Sequence, residues 1–323
     1  MARNKSIVNY GLCAKATAAT VCCMTGPRYT DLAASLPATV PFVGPEAQER
    51  ARGKAFLARL GANENEFGPS PKAVAAMQRA AHEVWMYGDP ENHELRQALA
   101  GRHRVDPANV IIGEGIDGLL GYLVRLIVGP GDSVVTSDGA YPTFNYHVAG
   151  FGGALHKVPY REDREDPEAL LEKAREVDAK LIYLANPDNP MGTSVDGPAI
   201  ERLIANLPQG CVLILDEAYI EFAHPDAVPD IDADDPRVIR FRTLSKAYGM
   251  AGARVGYGFA AEDLITAFNK VSNHFGMCRI SQAGALAALE DSDHLDRVTQ
   301  REREARARIE TNAREHALTA LPS

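Results

Sequence analysis

The chain has 323 residues, and at about 100–200 residues per domain this length predicts two domains with a sizeable hydrophobic core. Its 43 acidic and 34 basic residues give a formal net charge of −9, which argues against binding to nucleic acid or anionic lipid, because both need clustered positive charge. No apolar run approaches the ~20 residues that span a bilayer, so the sequence excludes a membrane-spanning helix.

The beginning of the chain is unusual in its cysteine content. Three of the five cysteines fall within the first 23 residues, at Cys13, Cys22 and Cys23. An odd number of cysteines argues against a disulfide framework and favours a reducing, cytoplasmic compartment. Arg3 and Lys5 precede a weakly apolar stretch, as in a signal peptide, but Lys15 interrupts that stretch. We therefore expect residues 1–23 to form a disordered leader.

From Ser70 onward, helical and strand patterns alternate. Ser70 followed by Pro71 predicts a helix N-cap with proline at the first helical position. Further helices are predicted at 91–102, from Asp166-Pro167, at 197–207 and at 292–318. Apolar runs predict strands at 110–112, 133–137, 180–184, 211–215, 238–243 and 254–259. Several runs show no alternation, as expected for strands covered on both faces, so the pattern predicts an α/β fold with a mainly parallel sheet.

A glycine-rich loop at 113–118 matches G-x-G-x-x-G between a predicted strand and a predicted helix, and Asp138 follows its last glycine by twenty residues. This pattern is typical of a dinucleotide-binding loop. Its physical core is less specific, because small residues let backbone amides at a helix N-terminus approach any phosphate. Two acidic side chains inside the loop, Glu114 and Asp117, would be awkward beside a pyrophosphate. A nucleotide, another phosphate and a purely structural tight turn all remain open from the loop alone.

Chemically capable side chains follow two of the predicted strands. Asp216 comes directly after the 211–215 strand, and Thr243-Leu244-Ser245-Lys246 ends the 238–243 strand, with Arg254 eight residues beyond the lysine. Parallel sheets bind ligands at the carboxyl ends of their strands, so these side chains can converge on one site. Taken singly, each has an ordinary explanation: a helix cap, a solvated amine or an ion pair.

Together these residues meet the needs of pyridoxal 5'-phosphate (PLP). Its aldehyde needs a lysine, its pyridine nitrogen an acid, and its phosphate hydroxyls, an arginine and helix amides. Tyr141, at the end of the 133–137 strand, can stack on the ring. Asn189 and Tyr219 can donate hydrogen bonds to the phenolic oxygen of the ring.

The motifs resemble those of the fold type I, class I/II aminotransferases, and are most similar to the histidinol-phosphate aminotransferase group. The resemblance runs from about residue 60 to about residue 289 and is carried by four blocks: Gly61-Ala62-Asn63-Glu64-Asn65, Asn189-Pro190-Met191-Gly192, Asp216-Glu217-Ala218-Tyr219 and residues 243–256. It implies a three-layer α/β/α PLP-binding domain at 70–290, preceded by an arm and active-site loop at 24–69.

The resemblance also implies roles for individual residues. Lys246 is implied to bind PLP covalently and Asp216 to pair with the ring nitrogen, while Asn189 and Tyr219 contact the phenolic oxygen. Phosphate contacts are implied for Thr243, Ser245, Arg254 and the amides of Gly115, Ile116 and Asp117. Such enzymes are usually homodimers, and Tyr87 matches the tyrosine that reaches the phosphate of the neighbouring subunit.

The chain departs from the family pattern in ways that concern the substrate. Phe275 stands where the histidinol-phosphate group often has a tyrosine that helps bind the substrate phosphate, which weakens the case for histidinol phosphate itself. We expect Phe275 and Asn65 to contact the substrate. His274 and Arg279 are further candidates to shape the pocket, with a surface or dimer-contact role as the alternative for Arg279. Met191 replaces the usual threonine, and Gly118 stands where an acid is common.

The family grips the substrate α-carboxylate with an arginine from a C-terminal small domain. The sequence given stops at Ser323, before that region, so we expect residues 291–323 to form an incomplete small domain. Cofactor binding is then a firmer expectation for this chain than turnover.

Three other functions remain as alternatives. A decarboxylase or lyase on the same scaffold would use the same PLP residues. A nicotinamide-binding oxidoreductase would use the 113–118 loop and Asp138 but leaves Lys246, Asp216 and Arg254 unexplained. A non-enzymatic regulator built on a PLP-type domain would need a DNA-binding module, for which the sequence gives no sign. The nine histidines show no metal-binding spacing, so no metal is expected.

Overall fold

The structure, a computed structural model, describes residues 26–40 and 42–321. The chain divides into two compact units between Ser35 and Leu36. In the first unit the described residues contain the short helix α1 (Asp31–Ser35). The predicted leader at 1–23 lies outside the described residues.

The second unit holds the remaining helices and a seven-stranded sheet. The helices are α2 (Pro45–Arg52), α3 (Pro71–Ala80), α4 (His93–His103), α5 (Gly115–Ile127), α6 (Pro142–Gly150), α7 (Pro167–Glu176), α8 (Gly197–Ala205), α9 (Glu262–Ala267), α10 (Arg279–Leu289) and α11 (Ser292–Glu315). The strands are β1 (Val110–Gly113), β2 (Ser133–Ser137), β3 (Ala154–Val158), β4 (Leu181–Ala185), β5 (Val212–Asp216), β6 (Val238–Thr243) and β7 (Gly256–Phe259).

The sheet is mainly parallel, with the strand order β1-β7-β6-β5-β4-β2-β3. Strand β7 runs antiparallel to both of its neighbours, β1 and β6. The other neighbouring strands pair in parallel. The carboxyl ends of β2, β4, β5 and β6 therefore lie along one edge of the sheet, which is where ligands bind in such folds.

Helices cover both faces of the sheet, which gives the predicted three layers. On one face, α5 and α6 bury side chains such as Leu119 and Phe144 against Ile214 and Phe241 of the central strands. On the other face, α7 and α8 pack on β4 and β5, and α3, α4 and α10 pack around β7. Because both faces are covered, β4 is buried along its whole length, and its sequence is a continuous apolar run without alternation.

The predicted helix starts follow from capping chemistry. The Ser70 hydroxyl accepts hydrogen bonds from the Lys72 and Ala73 amides at 3.1 and 3.4 Å, which satisfies amides that have no partner inside the helix. The Asp166 carboxylate does the same for α7, at 3.1 and 3.2 Å from the Glu168 and Ala169 amides. In both helices proline occupies the first turn.

One strand is not among those expected from the sequence. Strand β3 lies at the edge of the sheet, where His156 is partly buried and Lys157 is exposed. An edge strand with polar side chains lacks the apolar run by which the central strands are recognised. Within the described residues, the structure has no helix that combines the length and apolarity needed to cross a membrane.

Candidate active site

A cavity of about 620 Å³ opens at the carboxyl edge of the sheet. The segments that follow β2, β4, β5 and β6 contribute Tyr141, Asn189, Asp216 and Lys246 to its wall. The first turn of α5 and the loop at 61–64 close two further sides. The cavity thus gathers side chains from segments that are far apart in the sequence.

One end of the cavity is built to receive an anion. Helix α5 begins at Gly115, so the amides of its first turn have no partner inside the helix. The Arg254 guanidinium lies beside them and donates to the Ser245 hydroxyl at 3.4 Å and to the Ala251 carbonyl at 3.0 Å. The Thr243 hydroxyl lies 2.9 Å from the Ser245 hydroxyl. Hydroxyls, a guanidinium and helix amides are the donors that a phosphate monoester needs.

Glycine is required at position 115 for two reasons. Its φ of +81° is in the left-handed region that favours glycine, and a Cβ at this position would collide with the Arg254 guanidinium. Gly115 therefore allows the Arg254 guanidinium to lie directly against the start of α5.

The two acids of the glycine loop have partners of their own in the fold. The Glu114 carboxylate accepts a hydrogen bond from the Tyr122 hydroxyl at 3.1 Å. Asp117 lies 2.9 Å from the Nε2 atom of His147. Both carboxylates thus bind side chains of α5 and α6, which weakens the objection to a phosphate that the sequence raised.

Asp216 lies at the end of β5 and is 5% exposed. Its Oδ2 atom accepts a hydrogen bond from the Tyr183 hydroxyl at 2.7 Å, and its Oδ1 atom accepts one from the Ala218 amide at 3.0 Å. Burial raises the pKa of this carboxyl to about 6, against the lowering effect of the Tyr183 hydrogen bond. Burial alone therefore disfavours the charge, and a cation placed beside Asp216 would restore it.

The next residue, Glu217, is fully buried and points to the opposite side of the strand. Arg240 and Arg242 of β6 bind its carboxylate at 2.7 and 2.8 Å. These two guanidinium groups hold the pKa of Glu217 below its usual value in spite of its burial. The negative charge next to Asp216 is thereby compensated locally.

Lys246 follows β6 and reaches the opposite wall of the cavity. Its Nζ atom donates to the carbonyl oxygens of Ala62 and Asn63 at 3.0 and 3.3 Å and lies 5.5 Å from the centre of the Tyr219 ring. Burial and, to a smaller extent, the charge of Arg254 lower the pKa of the amine. A lowered pKa increases the fraction of neutral amine, which is the form that attacks a carbonyl carbon.

Donors for a phenolic oxygen line the same cavity as Lys246 and Asp216. The Tyr219 hydroxyl accepts hydrogen bonds from the side-chain amides of Asn63 at 3.0 Å and Asn189 at 3.5 Å. Tyr141 lines the cavity wall at the start of α6, where its ring can cover one face of a planar ligand. The structure therefore brings together the predicted partners of the cofactor ring.

The loop that carries Asn189 rests on a buried pair of acids. Glu165 and Asp188 are 4% and 3% exposed. Glu165 accepts hydrogen bonds from the Ser137 hydroxyl at 2.5 Å and the Ala185 amide at 2.8 Å, and Asp188 accepts one from the Tyr160 hydroxyl at 2.9 Å. Burial raises the pKa of Glu165, and the negative charge of Asp188 adds to this rise.

Four predicted residues are not part of the cavity wall: Gly115, Asn65, Tyr87 and Phe275. The Asn65 side chain donates to the carbonyl oxygens of Lys246 and Ala247 at 3.1 and 3.2 Å, which ties the 61–65 loop to the lysine. Tyr87 and Phe275 pack on each other with ring centroids 4.5 Å apart. Both aromatic rings are largely exposed, at 75% and 53%. Their predicted roles in binding remain predictions.

Several residues that line the cavity are not among those predicted from the sequence, and Tyr183 and Phe42 are the two with large side chains. Tyr183 is in the middle of β4, where the sequence shows only an apolar strand. Phe42 lies in the segment before α2, far from the recognised motifs. A signal existed for Tyr183, because a tyrosine inside a buried parallel strand needs a partner for its hydroxyl. No signal in the sequence connected Phe42 to the site.

The comparisons with known proteins agree with this geometry. Residues 57–319 match the family model described as aminotransferase class I and II. A curated relative, histidinol-phosphate aminotransferase 2 of Carboxydothermus hydrogenoformans, is 34% identical over 289 residues, which cover 88% of this chain and 79% of the relative. The fold and the family are thus supported by a match over most of the chain.

Solved structures of aminotransferases are also similar to this chain. The histidinol-phosphate aminotransferase from Sinorhizobium meliloti in complex with pyridoxal-5'-phosphate has a TM-score of 0.89 and 52% identity, covering 93% of this chain and 81% of that chain. The aspartate aminotransferase from Thermus thermophilus with maleate has a TM-score of 0.71 and 26% identity, covering 81% of this chain and 72% of that chain. With its cavity, its family match and these neighbours, the chain belongs to the class I and II aminotransferases and is a PLP-dependent transaminase.

Proposed function

We propose that Lys246 binds PLP covalently and that Asp216 and Arg254 hold the two ends of the cofactor. The observation that carries this assignment is the convergence of an amine, a buried acid and an anion cradle on one cavity of about 620 Å³. In this assignment the phosphate lies at the start of α5, with Thr243, Ser245 and Arg254. When bound, PLP supplies an electron sink for the bond to the substrate α-carbon.

The protein residues divide the remaining work. Asp216 keeps a proton on the ring nitrogen, and Tyr219 and Asn189 orient the phenolic oxygen. Tyr141 covers one face of the ring. When it is not bonded to the cofactor, the Lys246 amine, whose pKa is lowered by burial, would be the base that takes up the proton of the substrate α-carbon and the acid that gives it back.

For the amino donor we propose histidinol phosphate, with an amino acid lacking a phosphate as the second candidate. The first is supported by relatives named histidinol-phosphate aminotransferase. The second is favoured by Phe275, which has no hydroxyl to offer a substrate phosphate. In both cases a 2-oxoacid accepts the amino group.

A donor panel separates these candidates. Purified protein with PLP is incubated with 2-oxoglutarate and either histidinol phosphate or one of several aromatic and acidic amino acids, and both products are quantified. Formation of an oxo product together with a new amino acid supports transamination, whereas release of carbon dioxide or ammonia would favour a decarboxylase or lyase. Phe275→Tyr is the matched variant: a selective gain with histidinol phosphate would assign position 275 to phosphate binding.

We also propose that the enzyme is a homodimer whose Tyr87 reaches the site of the neighbouring subunit. Tyr87 packs on Phe275, and these two residues and the nearby Val84 and Trp85 are each at least 53% exposed. Arg279 holds this segment through its hydrogen bond to the Tyr87 carbonyl at 2.8 Å. Exposed clusters of large apolar side chains are typical of protein interfaces.

A hybrid of two impaired variants tests this arrangement. We expect Tyr87→Phe to weaken PLP binding about 10-fold through the loss of a hydrogen bond to the phosphate. In a purified heterodimer of Tyr87→Phe and Lys246→Ala subunits, one site then combines an intact lysine with an intact tyrosine, so about half of the wild-type activity per dimer is expected at limiting PLP. If Tyr87 served its own subunit, the heterodimer would have no intact site and its PLP affinity would stay at the level of Tyr87→Phe.

Replacing Arg254 by glutamine is expected to weaken PLP binding by about 10- to 100-fold, because a hydrogen bond to a charged group contributes ~1.5–3 kcal/mol. The loss is measured by titrating the protein with PLP and following the visible absorption band. Inorganic phosphate should compete less well in the variant than in the wild type. Arg125→Gln, which changes an arginine that donates to the Val271 carbonyl at 3.3 Å, is the control and should leave PLP affinity unchanged.

For the organisation of the chain we propose a large PLP-binding domain at 70–290, preceded by the arm and loop at 24–69. All seven strands of the sheet lie between residues 70 and 290, as do the cavity residues that the segments between the strands contribute. A cytoplasmic location is supported by the free thiols of Cys211 and Cys278.

A further inference from the structure

Tyr183 is an unusual residue for its position in the fold. It lies in the middle of β4 and is 0% exposed, between the aliphatic residues Ile182 and Leu184. A phenol hydroxyl buried at such a place is unfavourable unless it makes a hydrogen bond. Here it donates to the Oδ2 atom of Asp216 at 2.7 Å.

The sheet itself fixes this contact. Strands β4 and β5 are parallel neighbours in which Tyr183 pairs with Ile214 and Ala185 pairs with Asp216. Tyr183 and Asp216 are therefore diagonal neighbours on one face of the sheet, within reach of a long side chain. The hydroxyl reaches the carboxylate without any contribution from a mobile loop.

The Tyr183 ring is held on its other side by α6. Phe144, which is fully buried, stacks on it with a centroid distance of 4.6 Å and an interplanar angle of 15°. The Tyr183 ring extends from β4 and packs against α6, so its hydroxyl has little freedom to take another position. The position of the donor is thus set before any ligand binds.

We propose that Tyr183 is a positioning residue for Asp216, and that its hydroxyl orients the carboxylate toward the ring nitrogen of PLP and keeps it in the charged form. The proposal rests on the role proposed for Asp216. It adds a residue that neither the family motifs nor the comparisons assign.

The electrostatics of the site agree with this role. Burial raises the pKa of Asp216 to about 6, and the Tyr183 hydrogen bond is the largest effect that opposes this rise. Burial and the nearby carboxylate raise the pKa of Tyr183 itself, so the phenol stays protonated and remains a donor. The other titratable groups that act on this pair are Glu217, Lys246, Tyr141 and Glu165.

Removing the hydroxyl would make the carboxylate more basic. The proton shared between the ring nitrogen and Asp216 would then shift toward the acid, and the ring would lose part of its positive charge. A less positive ring withdraws fewer electrons from the Lys246 nitrogen and from the substrate α-carbon. The variant should therefore bind substrate normally and react more slowly.

Tyr183→Phe tests this because it removes one oxygen atom and keeps the stacking on Phe144. We expect kcat to fall about 10- to 100-fold with KM nearly unchanged. The pH midpoint of the visible band of the lysine-bound cofactor should rise, since this band reports the proton on the Lys246 nitrogen. Tyr257→Phe is the matched control: Tyr257 is also 0% exposed, but its hydroxyl lies 3.3 Å from His103, away from the cavity.

The outcomes separate the possible explanations. If Tyr183→Phe lowers thermal stability as much as Tyr257→Phe does and leaves both kcat and the pH midpoint unchanged, Tyr183 is merely structural and the proposal is wrong. If Asp216→Asn also leaves them unchanged, the proposed role of Asp216 fails first. Should Tyr183→Phe not fold, 3-fluorotyrosine incorporated at position 183 keeps the hydroxyl with a lower phenol pKa, and an unchanged pH midpoint would then overturn the proposal.

Discussion

Replacing Lys246 by alanine is expected to reduce amino transfer by about 10⁴-fold and to abolish the visible band of the lysine-bound cofactor. The reason is that, in the proposed assignment, one amine serves two purposes, binding the cofactor covalently and moving the α-proton. Among the described residues that line the cavity, Lys246 is the one lysine. The two effects are measured by the visible spectrum with added PLP and by single-turnover kinetics with an amino donor.

A second variant separates the chemistry of the amine from its charge, and a variant of another lysine serves as the control. Lys246→Arg keeps a positive charge but offers no nucleophilic amine, so it should lose the visible band as Lys246→Ala does. Lys270→Ala removes an exposed lysine and should change neither the band nor the rate. A visible band and turnover that survive in Lys246→Ala would refute the assignment of the lysine.

The sequence was most informative where residue type and position are both dictated by chemistry. Asp216 and Lys246 lie at or just after the ends of central strands, and a parallel sheet brings such ends together whatever the intervening sequence is. Strand β3 was not expected because its pairing at the sheet edge depends on a neighbouring strand and not on its own apolar content. The central architecture could therefore be predicted, whereas its edge could not.

The contacts that refine the site depend on tertiary register and were hidden from the sequence. Tyr183 meets Asp216 because β4 and β5 pair in one specific register. The buried acids beneath the Asn189 loop, Glu165 and Asp188, come from separate segments of the chain. Neither segment contains a pattern that predicts contact with the other. The partners of Glu114 and Asp117 likewise became visible only in the fold, where Tyr122 and His147 contact the two carboxylates.

Asp216→Asn is expected to lower kcat by about 10²- to 10⁴-fold, because breaking a buried ion pair costs ~3–5 kcal/mol and each ~1.36 kcal/mol is a factor of ten. The amide has the shape of the acid but cannot hold a cation on the ring nitrogen. A PLP analogue methylated at this nitrogen keeps the positive charge permanently. It should therefore restore part of the lost rate in the variant while offering no gain to the wild type.

The cofactor-free protein gives a second measurement of the same residue. Since burial raises the pKa of Asp216 from 3.8 to about 6, the folded state holds a proton that the unfolded state releases. The resulting stability is present below about pH 4 and is lost as the pH rises through about 6. The free energy of unfolding, measured with a denaturant, should fall over this pH range in the wild type. The fall should be smaller in Asp216→Asn. Asp138→Asn is the control, because Asp138 is an exposed acid that pairs with Lys157, and it should leave the pH-dependent loss of stability unchanged. Added PLP should oppose the loss in the wild type, because the cationic ring favours the charged carboxylate.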